Sequence, residues 1–390
     1  MSGICGFVGA PASGIDMEGT LQAMLKSIGH RGPDGRHVYV SREDGFGLGH
    51  NYLRAFSPNS HGDSAGFAKT GSFAVAIDGA IIRHANASEA AAASVFADLS
   101  DQESRTALTA YQHSGSRWLS ELDGPFCLAL WDGEKKQLHL SRDKLGEKSL
   151  YYLFDRSRNL LVFASEIKAL LRYPGLQAEL DFESLSIYLA FGYIPGPRTL
   201  FKNIFKILPG EHLQFDLAQG LQLSKYWNLP PIVDAVDDEA FSIRRLRELF
   251  LQGLEGYVNG CQDVAVFLSG GIDSSIIVAA LKELGVPRIH SFTIGFNLAD
   301  SRVQKLDDLK YARLVAEKFA TQHHELEIAA GHNPWPRLMA VVRQFDDLIM
   351  TPNSYSKYLL AEAVREAGLN SVLTGSAAAG ACGVHRKFLD

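Results

Sequence analysis

Residues 264–268, Val-Ala-Val-Phe-Leu, run straight into Ser269-Gly-Gly-Ile-Asp-Ser-Ser275, and no other stretch limits the possible fold as tightly. The first run is β-branched and aromatic without alternation, as a parallel strand covered on both faces should be. Gly270 and Gly271 let the backbone turn sharply and approach a ligand, while Ser274 and Ser275 open a helix whose unpaired N–H groups point back at the turn. Strand, glycine turn and helix start together make an anion site. The simpler reading, a serine-capped helix after a glycine turn, leaves one residue unexplained. No lysine stands where a Walker loop carries one, and Asp273 is placed inside the turn. A carboxylate aimed at a phosphate is favourable when Mg2+ lies between them, which makes Asp273 the candidate metal ligand.

The rest of the chain is organised around this point. Its 390 residues are enough for two domains, and 46% hydrophobic with 21% charged is ordinary for a globular protein. A net charge of −6 with no lysine and arginine run argues against nucleic acid or a membrane surface as partner. No apolar stretch approaches the ~20 residues that cross a bilayer, and no basic and apolar leader opens the chain, so a cytoplasmic protein is expected. Cys5, Cys127, Cys261 and Cys382 show no CxxC spacing and are read as free thiols, without a zinc site or disulfide framework.

From the N-terminus, Met1-Ser-Gly-Ile-Cys-Gly-Phe-Val-Gly9 is an early buried strand. A helix over residues 17–28 and a rigid turn at His30-Arg-Gly-Pro-Asp-Gly35 follow. Strand-like runs at 47–50, 73–77, 126–131 and 137–140 surround a helix at 103–113, which predicts an α+β domain. Residues 180–229 read as a turn-rich closing edge, and the acidic residues 233–239 as a linker. Helical spacing at 243–257, strands at 264–268 and 289–295, helices at 309–320 and 353–366, and a strand at 371–374 then alternate. That order predicts an α/β, doubly wound parallel sheet with ligands at the carboxyl ends of its strands, and divides the chain into domains at 1–232 and 233–390. His323 and His324 are read as structural, His30 as a brace of its turn, and Trp118, Trp131, Trp227 and Trp335 as core or interface residues.

The Ser-Gly-Gly-x-Asp-Ser pattern resembles the pyrophosphate loop of the ATP-pyrophosphatase families. With His30-Arg-Gly-Pro-Asp34, Arg142-Asp-Lys-Leu-Gly146, Phe163-Ala-Ser-Glu166, Ile207-Leu-Pro-Gly210, Tyr226-Trp227, Ser291-Phe-Thr-Ile-Gly295 and His323-His-Glu325, nearly the whole chain resembles the glutamine-hydrolysing asparagine synthetase family, type B. The resemblance implies an N-terminal-nucleophile hydrolase-like domain followed by a synthetase domain of the ATP-pyrophosphatase type. It implies ATP and Mg2+, a carboxylate acceptor such as aspartate, ammonia or glutamine as nitrogen donor, and a homodimer as a candidate assembly. It places Leu268 and Ile294 against the adenine. Ser269, Gly270, Gly271, Asp273, Ser274, Ser275, Thr374 and Gly375 fall around the phosphates, and Asp307 and Asp308 near a further metal carboxylate.

The departures from the family matter as much. Its nucleophilic cysteine, next after the initiator methionine, is Ser2 here, and Cys5 lies too far in to have a free α-amine beside it. The glutamine-clamping arginine falls at Tyr52, with Arg54 nearby; the Asn-Gly-Glu segment reads Asp78-Gly79-Ala80, and Asp101 keeps the family's aspartate. A tyrosine does not supply the charged fork that an α-carboxylate needs. Glutaminase activity is therefore expected to be weak or lost. In the second domain the family's Ser-Gly-Glu-Gly-x-Asp-Glu loop reads Thr374-Gly-Ser-Ala-Ala-Ala-Gly380, with Ser376 and Ala379 in place of its acids. The chain stops at Asp390, where the family continues, so the second domain is expected to be truncated. Two readings stand side by side: an asparagine synthetase-like ligase that adenylates a carboxylate, and a nucleotide-binding pseudoenzyme with a regulatory or scaffolding role.

Overall fold

A computed structural model describes residues 2–9, 14–53, 66–83, 101–231, 238–297, 309–329, 333–348 and 353–376. These divide into two compact units, the first holding the described residues up to 231 together with 346–348, the second the remainder. Arg54, Asp307, Asp308, Ala379 and Cys382 lie outside the described residues, as do residues 233–237 of the expected linker.

In chain order the first unit runs β1 (Gly3–Val8), α1 (Met17–Ser27), β2 (Gly35–Ser41), β3 (Phe46–Tyr52), β4 (Phe67–Thr70), β5 (Phe73–Gly79), β6 (Ile82–Arg83), α2 (Gln102–His113), β7 (Leu122–Asp123), β8 (Phe126–Asp132) and β9 (Gln137–Arg142). It continues with β10 (Tyr151–Asp155), β11 (Leu160–Ala164), α3 (Ile167–Leu170), α4 (Phe182–Phe191), β12 (Ile204–Lys206), β13 (Glu211–Asp216) and β14 (Gly220–Lys225). Two six-stranded antiparallel sheets form, in the orders β12-β10-β11-β1-β3-β2 and β14-β13-β9-β8-β5-β4. β1 shows why they stack. Ile4 and Val8 on one face join the core between the sheets, with Phe46, Ala74 and Trp131. Cys5 and Phe7 on the other face pack under α1 with Leu21, Met24 and Leu25. Both faces are covered, so every residue of the strand is buried. α2 and Trp118 close the outer face of the second sheet, giving a helix, sheet, sheet, helix sandwich.

Residues 180–229, expected to be mostly turns, contain α4 and β12 to β14. β13 pairs with β9 in continuous register from His212 to Asp216, a signal masked in the sequence by the prolines and glycines before it. Asp346 and Asp347 belong to this unit because they pair with Lys168 and Lys206, each at 2.8 Å.

The second unit runs α5 (Glu239–Val258), β15 (Asp263–Phe267), α6 (Ile272–Glu283), β16 (Arg288–Asn297), α7 (Leu309–Phe319), β17 (Gln322–Ala329), α8 (Trp335–Gln344), α9 (Asn353–Glu366) and β18 (Val372–Thr374). Its four strands are parallel in the order β17-β16-β15-β18. α5, α6 and α7 cover one face and α9 the other, through Leu360 and Val364 on Ala265 and Phe292. This is the doubly wound sheet that the alternation predicts. Trp335 is not core: it is 65% exposed at the first residue of α8, whereas Val341 on the same helix is buried.

Candidate active site

β15 is the first strand of the second unit in sequence, and the strand order reverses beside it, with β16 on one side and β18 on the other. Loops leaving the carboxyl ends of two such strands part in opposite directions and leave a crevice, the usual ligand position in open α/β sheets. The loop after β15 is residues 268–271, and the loop after β18 begins at Gly375. Phe267 and Thr374 are register partners, so both loops leave at the same level.

The loop is braced from within. Leu268 donates its N–H to the Phe292 carbonyl at 2.9 Å, and Thr293 Oγ1 donates to the Leu268 carbonyl at 2.5 Å. Ser274 Oγ accepts from the Ser269 N–H and donates to the Gly271 carbonyl, both at 3.2 Å; Ser275 Oγ donates to that carbonyl at 2.7 Å. Gly270 sits at φ +76°, and a Cβ there would stand 2.5 Å from the Tyr311 backbone at the start of α7. Gly375 meets the loop from the other side, where a Cβ would lie 2.9 Å from both Asp273 Cβ and the Ser274 nitrogen. The helix begins at Ile272 with Gly271 as N-cap, two residues before the expected start, which puts Asp273 in its first turn. Among the described residues nothing hydrogen-bonds its carboxylate, and no set of three or more His, Cys, Asp or Glu side chains forms a metal cage. Mg2+ needs no such cage when one carboxylate and the ligand's own phosphates hold it, so Asp273 fits that ion. Leu268 and Ile294 are not brought together by their side chains: Leu268 packs on the α6 face of the sheet and Ile294 on the α9 face.

The first unit gathers a second cluster. Ile4 is the register partner of His50, and Gly3 of Asn51, so Ser2 stands at the level of Tyr52. Ser2 is buried, and its carbonyl accepts from Arg31 Nε at 2.8 Å. The same guanidinium donates to Asp78 Oδ2 at 2.8 Å and to Glu166 Oε1 at 3.1 Å. Ser165 Oγ donates to Asp78 Oδ2 at 3.1 Å and accepts from the Ile4 N–H at 3.0 Å. Burial alone would raise the Glu166 carboxyl, but His30, Lys168 and Arg31 outweigh it and bring it down to about 2. Arg31 and Glu166 are thus the organising pair beside Ser2. In sequence, Arg31 and Glu166 fall in two of the stretches that carry the resemblance, His30 to Asp34 and Phe163 to Glu166, with no sign that they meet.

The other expected glutamine-pocket residues have partners of their own. Tyr52 is 5% exposed, stacks on His37 at 5.3 Å, and lies against Gly35, where its ring leaves no room for a Cβ. Asp101 caps α2, accepting from Ser104 N at 2.7 Å, and also accepts from Gly66 N at 3.0 Å. Gly79, at φ +127°, turns the chain against the Pro125 carbonyl, which accepts from the Ala80 N–H at 2.9 Å. Asp78 keeps one buried oxygen, Oδ1, without a hydrogen-bond partner among the described residues. Cys5 offers no alternative nucleophile, because burial pushes its thiol far above the ordinary range.

Comparison with known proteins points the same way for both units. Residues 1–227 match the glutamine amidotransferase domain family, and residues 245–384 the asparagine synthase family. The putative glutamine-hydrolysing asparagine synthetase 2 of Methanocaldococcus jannaschii is 28% identical over 344 residues, covering 82% of this chain and 64% of that protein. The glutamine-hydrolysing asparagine synthetase 1 of Bacillus subtilis is 25% identical, covering 93% of this chain and 56% of that protein. The amidase chry2 of Gibberella zeae is 28% identical, covering 91% and 54%. The chain therefore spans between 54% and 64% of the length of these three relatives.

Proposed function

The chain belongs to the glutamine-hydrolysing asparagine synthetase family, as a divergent member, and from that premise we propose that it is an ATP-dependent amide-forming carbon–nitrogen ligase. A carboxylate oxygen of aspartate or a similar acid attacks the α-phosphorus of ATP and pyrophosphate leaves. The nitrogen of ammonia then attacks the activated acyl carbon, AMP departs and the surplus proton is released. The observation that carries this reading is the glycine loop at the strand-order reversal, closed on one side by α7 and on the other by Gly375. In it, Ser269 to Ser275 with Thr374 and Gly375 hold the phosphates, and the backbone at Leu268 and Ile294 faces the adenine. Asp273 is assigned to Mg2+, which when bound offsets charge on the phosphates.

The first unit is assigned as a glutaminase-like domain with weak or lost activity. Ser2 replaces a thiol by a far less ionised hydroxyl, Tyr52 is held in an aromatic stack, and Asp101 is engaged as a helix cap. The domain boundary at 232/233, a cytoplasmic setting and a homodimer belong to the same proposal. A second reading, a nucleotide-binding pseudoenzyme, draws on Ser376: a hydroxyl stands where the resemblance expects a catalytic acid.

ATP–pyrophosphate exchange with Mg2+ over a panel of carboxylic acids separates the two. Exchange that depends on one acid and is lost in Asp273→Ala supports the ligase, and ATP binding without exchange supports the pseudoenzyme. Brisk glutamine hydrolysis abolished by Ser2→Ala would overturn the assignment of the first unit.

A further inference from the structure

α9 feeds β18 and lies along the sheet, so its first residues stand at the carboxyl edge of the strands, on the side of the glycine loop. Lys357, one turn into α9, is exposed, and its ammonium donates to Ser376 Oγ at 3.3 Å. Ser376 in turn donates its N–H to Thr374 Oγ1 at 3.4 Å, and Gly375 between them is the residue packed against Asp273 and the Ser274 nitrogen. The lysine head group is thus tied to the loop that touches the phosphate-binding helix start. Among the described residues no carboxylate pairs with it.

That charge has an electrostatic consequence. Asp273 faces the same crevice, its carboxylate without a partner among the described residues, and it repels a polyphosphate unless a cation intervenes. A lysine on a flexible stem, held among the described residues by a neutral hydroxyl, is able to turn its three donors onto a phosphate while remaining charged. We propose that Lys357 is a phosphate-binding residue of this site, and that its charge allows the loop to hold the polyphosphate of a nucleoside triphosphate without a divalent cation. The proposal rests on the reading of residues 269–275 as a nucleotide loop.

The test is ATP titration of the full chain by calorimetry, once with EDTA and once with Mg2+, for wild type, Lys357→Ala, Lys357→Arg and Gly270→Ala. Wild type is expected to bind in EDTA within about threefold of its affinity in Mg2+. Lys357→Ala is expected to lose about tenfold in EDTA, the ~1.4 kcal/mol of one charged contact, and less in Mg2+; Lys357→Arg retains most of the affinity. Lys357 is exposed, so its replacement leaves the core intact. Equal binding by wild type and Lys357→Ala in EDTA, or wild-type binding only with Mg2+, overturns the proposal and leaves the nucleotide-loop reading standing. Absence of ATP binding by folded wild type under both conditions overturns the reading itself, and Lys357's role with it.

Discussion

Gly270 is the residue on which the second unit turns. Its φ of +76° is disfavoured for any L side chain, and the space a Cβ would need is occupied by the Tyr311 backbone, which does not yield as a flexible side chain does. Gly270→Ala is therefore expected to weaken ATP binding about five- to thirtyfold, on the order of 1–2 kcal/mol of strain, with the melting of the first unit unchanged. Calorimetry and thermal melting check the two halves of that statement. Asp273 behaves differently. Among the described residues its carboxylate has no hydrogen-bond partner, so Asp273→Ala should leave stability within ~0.5 kcal/mol of wild type while reducing the Mg2+-dependent part of nucleotide binding. An unfolded Asp273→Ala protein would show that the carboxylate has a structural partner instead.

Between elements, the turn after α1, the end of β11 and α3 are joined by one buried ion network. Arg31 links the Ser2 carbonyl, Asp78 and Glu166, and Glu166 is bonded also by His30 and Lys168. Lys168 extends the network to Asp346. Removing one member leaves buried charges without a counterpart, which costs more than the net contribution of the intact network. Glu166→Gln is expected to destabilise the first unit by about 3 kcal/mol, read from urea unfolding, and to do so more than replacement of an exposed ion pair such as Arg245 with Glu248. Equal effects at the two sites would show the network to be no stronger than a surface pair. These three elements come from positions 30–31, 165–166 and 168, and no local pattern in the chain announces that they meet.

For the whole molecule, buried titratable groups of the first unit give a pH profile with two slopes. Burial brings the His50 and His139 imidazoles down to about 3 and His212 to about 4, below the ordinary ~6.5. Glu166 is down at about 2. In the acid range each binds fewer protons folded than unfolded, so stability falls as pH drops from ~6.5 through the histidines, and further below ~4.5 through Glu166. Glu103 acts in the opposite sense: burial, with Asp101 beside it, pushes it up to about 8, and its contribution is lost as pH rises from ~4.5 to 8. Stability of the first unit is expected to peak at about pH 6.5–7. The buried Trp118 and Trp131 report its unfolding by fluorescence. Glu103→Gln should flatten the alkaline decline and steepen the acid limb between pH ~4.5 and ~6.5, where the raised carboxyl otherwise offsets part of the histidine slope; an unchanged alkaline limb would refute the assignment.

The glycine loop, the alternation that makes the doubly wound sheet, and the early buried strand were all determined by the sequence itself. They depend on neighbours a few residues apart and on periodicities of 2 and 3.6, which are local properties of the backbone. Only the tertiary structure decided that Tyr52 is absorbed in an aromatic stack, that Asp101 caps a helix, that Arg31 organises the surroundings of Ser2, and that Lys357 reaches the loop after β18. Each of these depends on strand register and on which faces are buried, and those are set by contacts summed over residues tens to hundreds of positions apart.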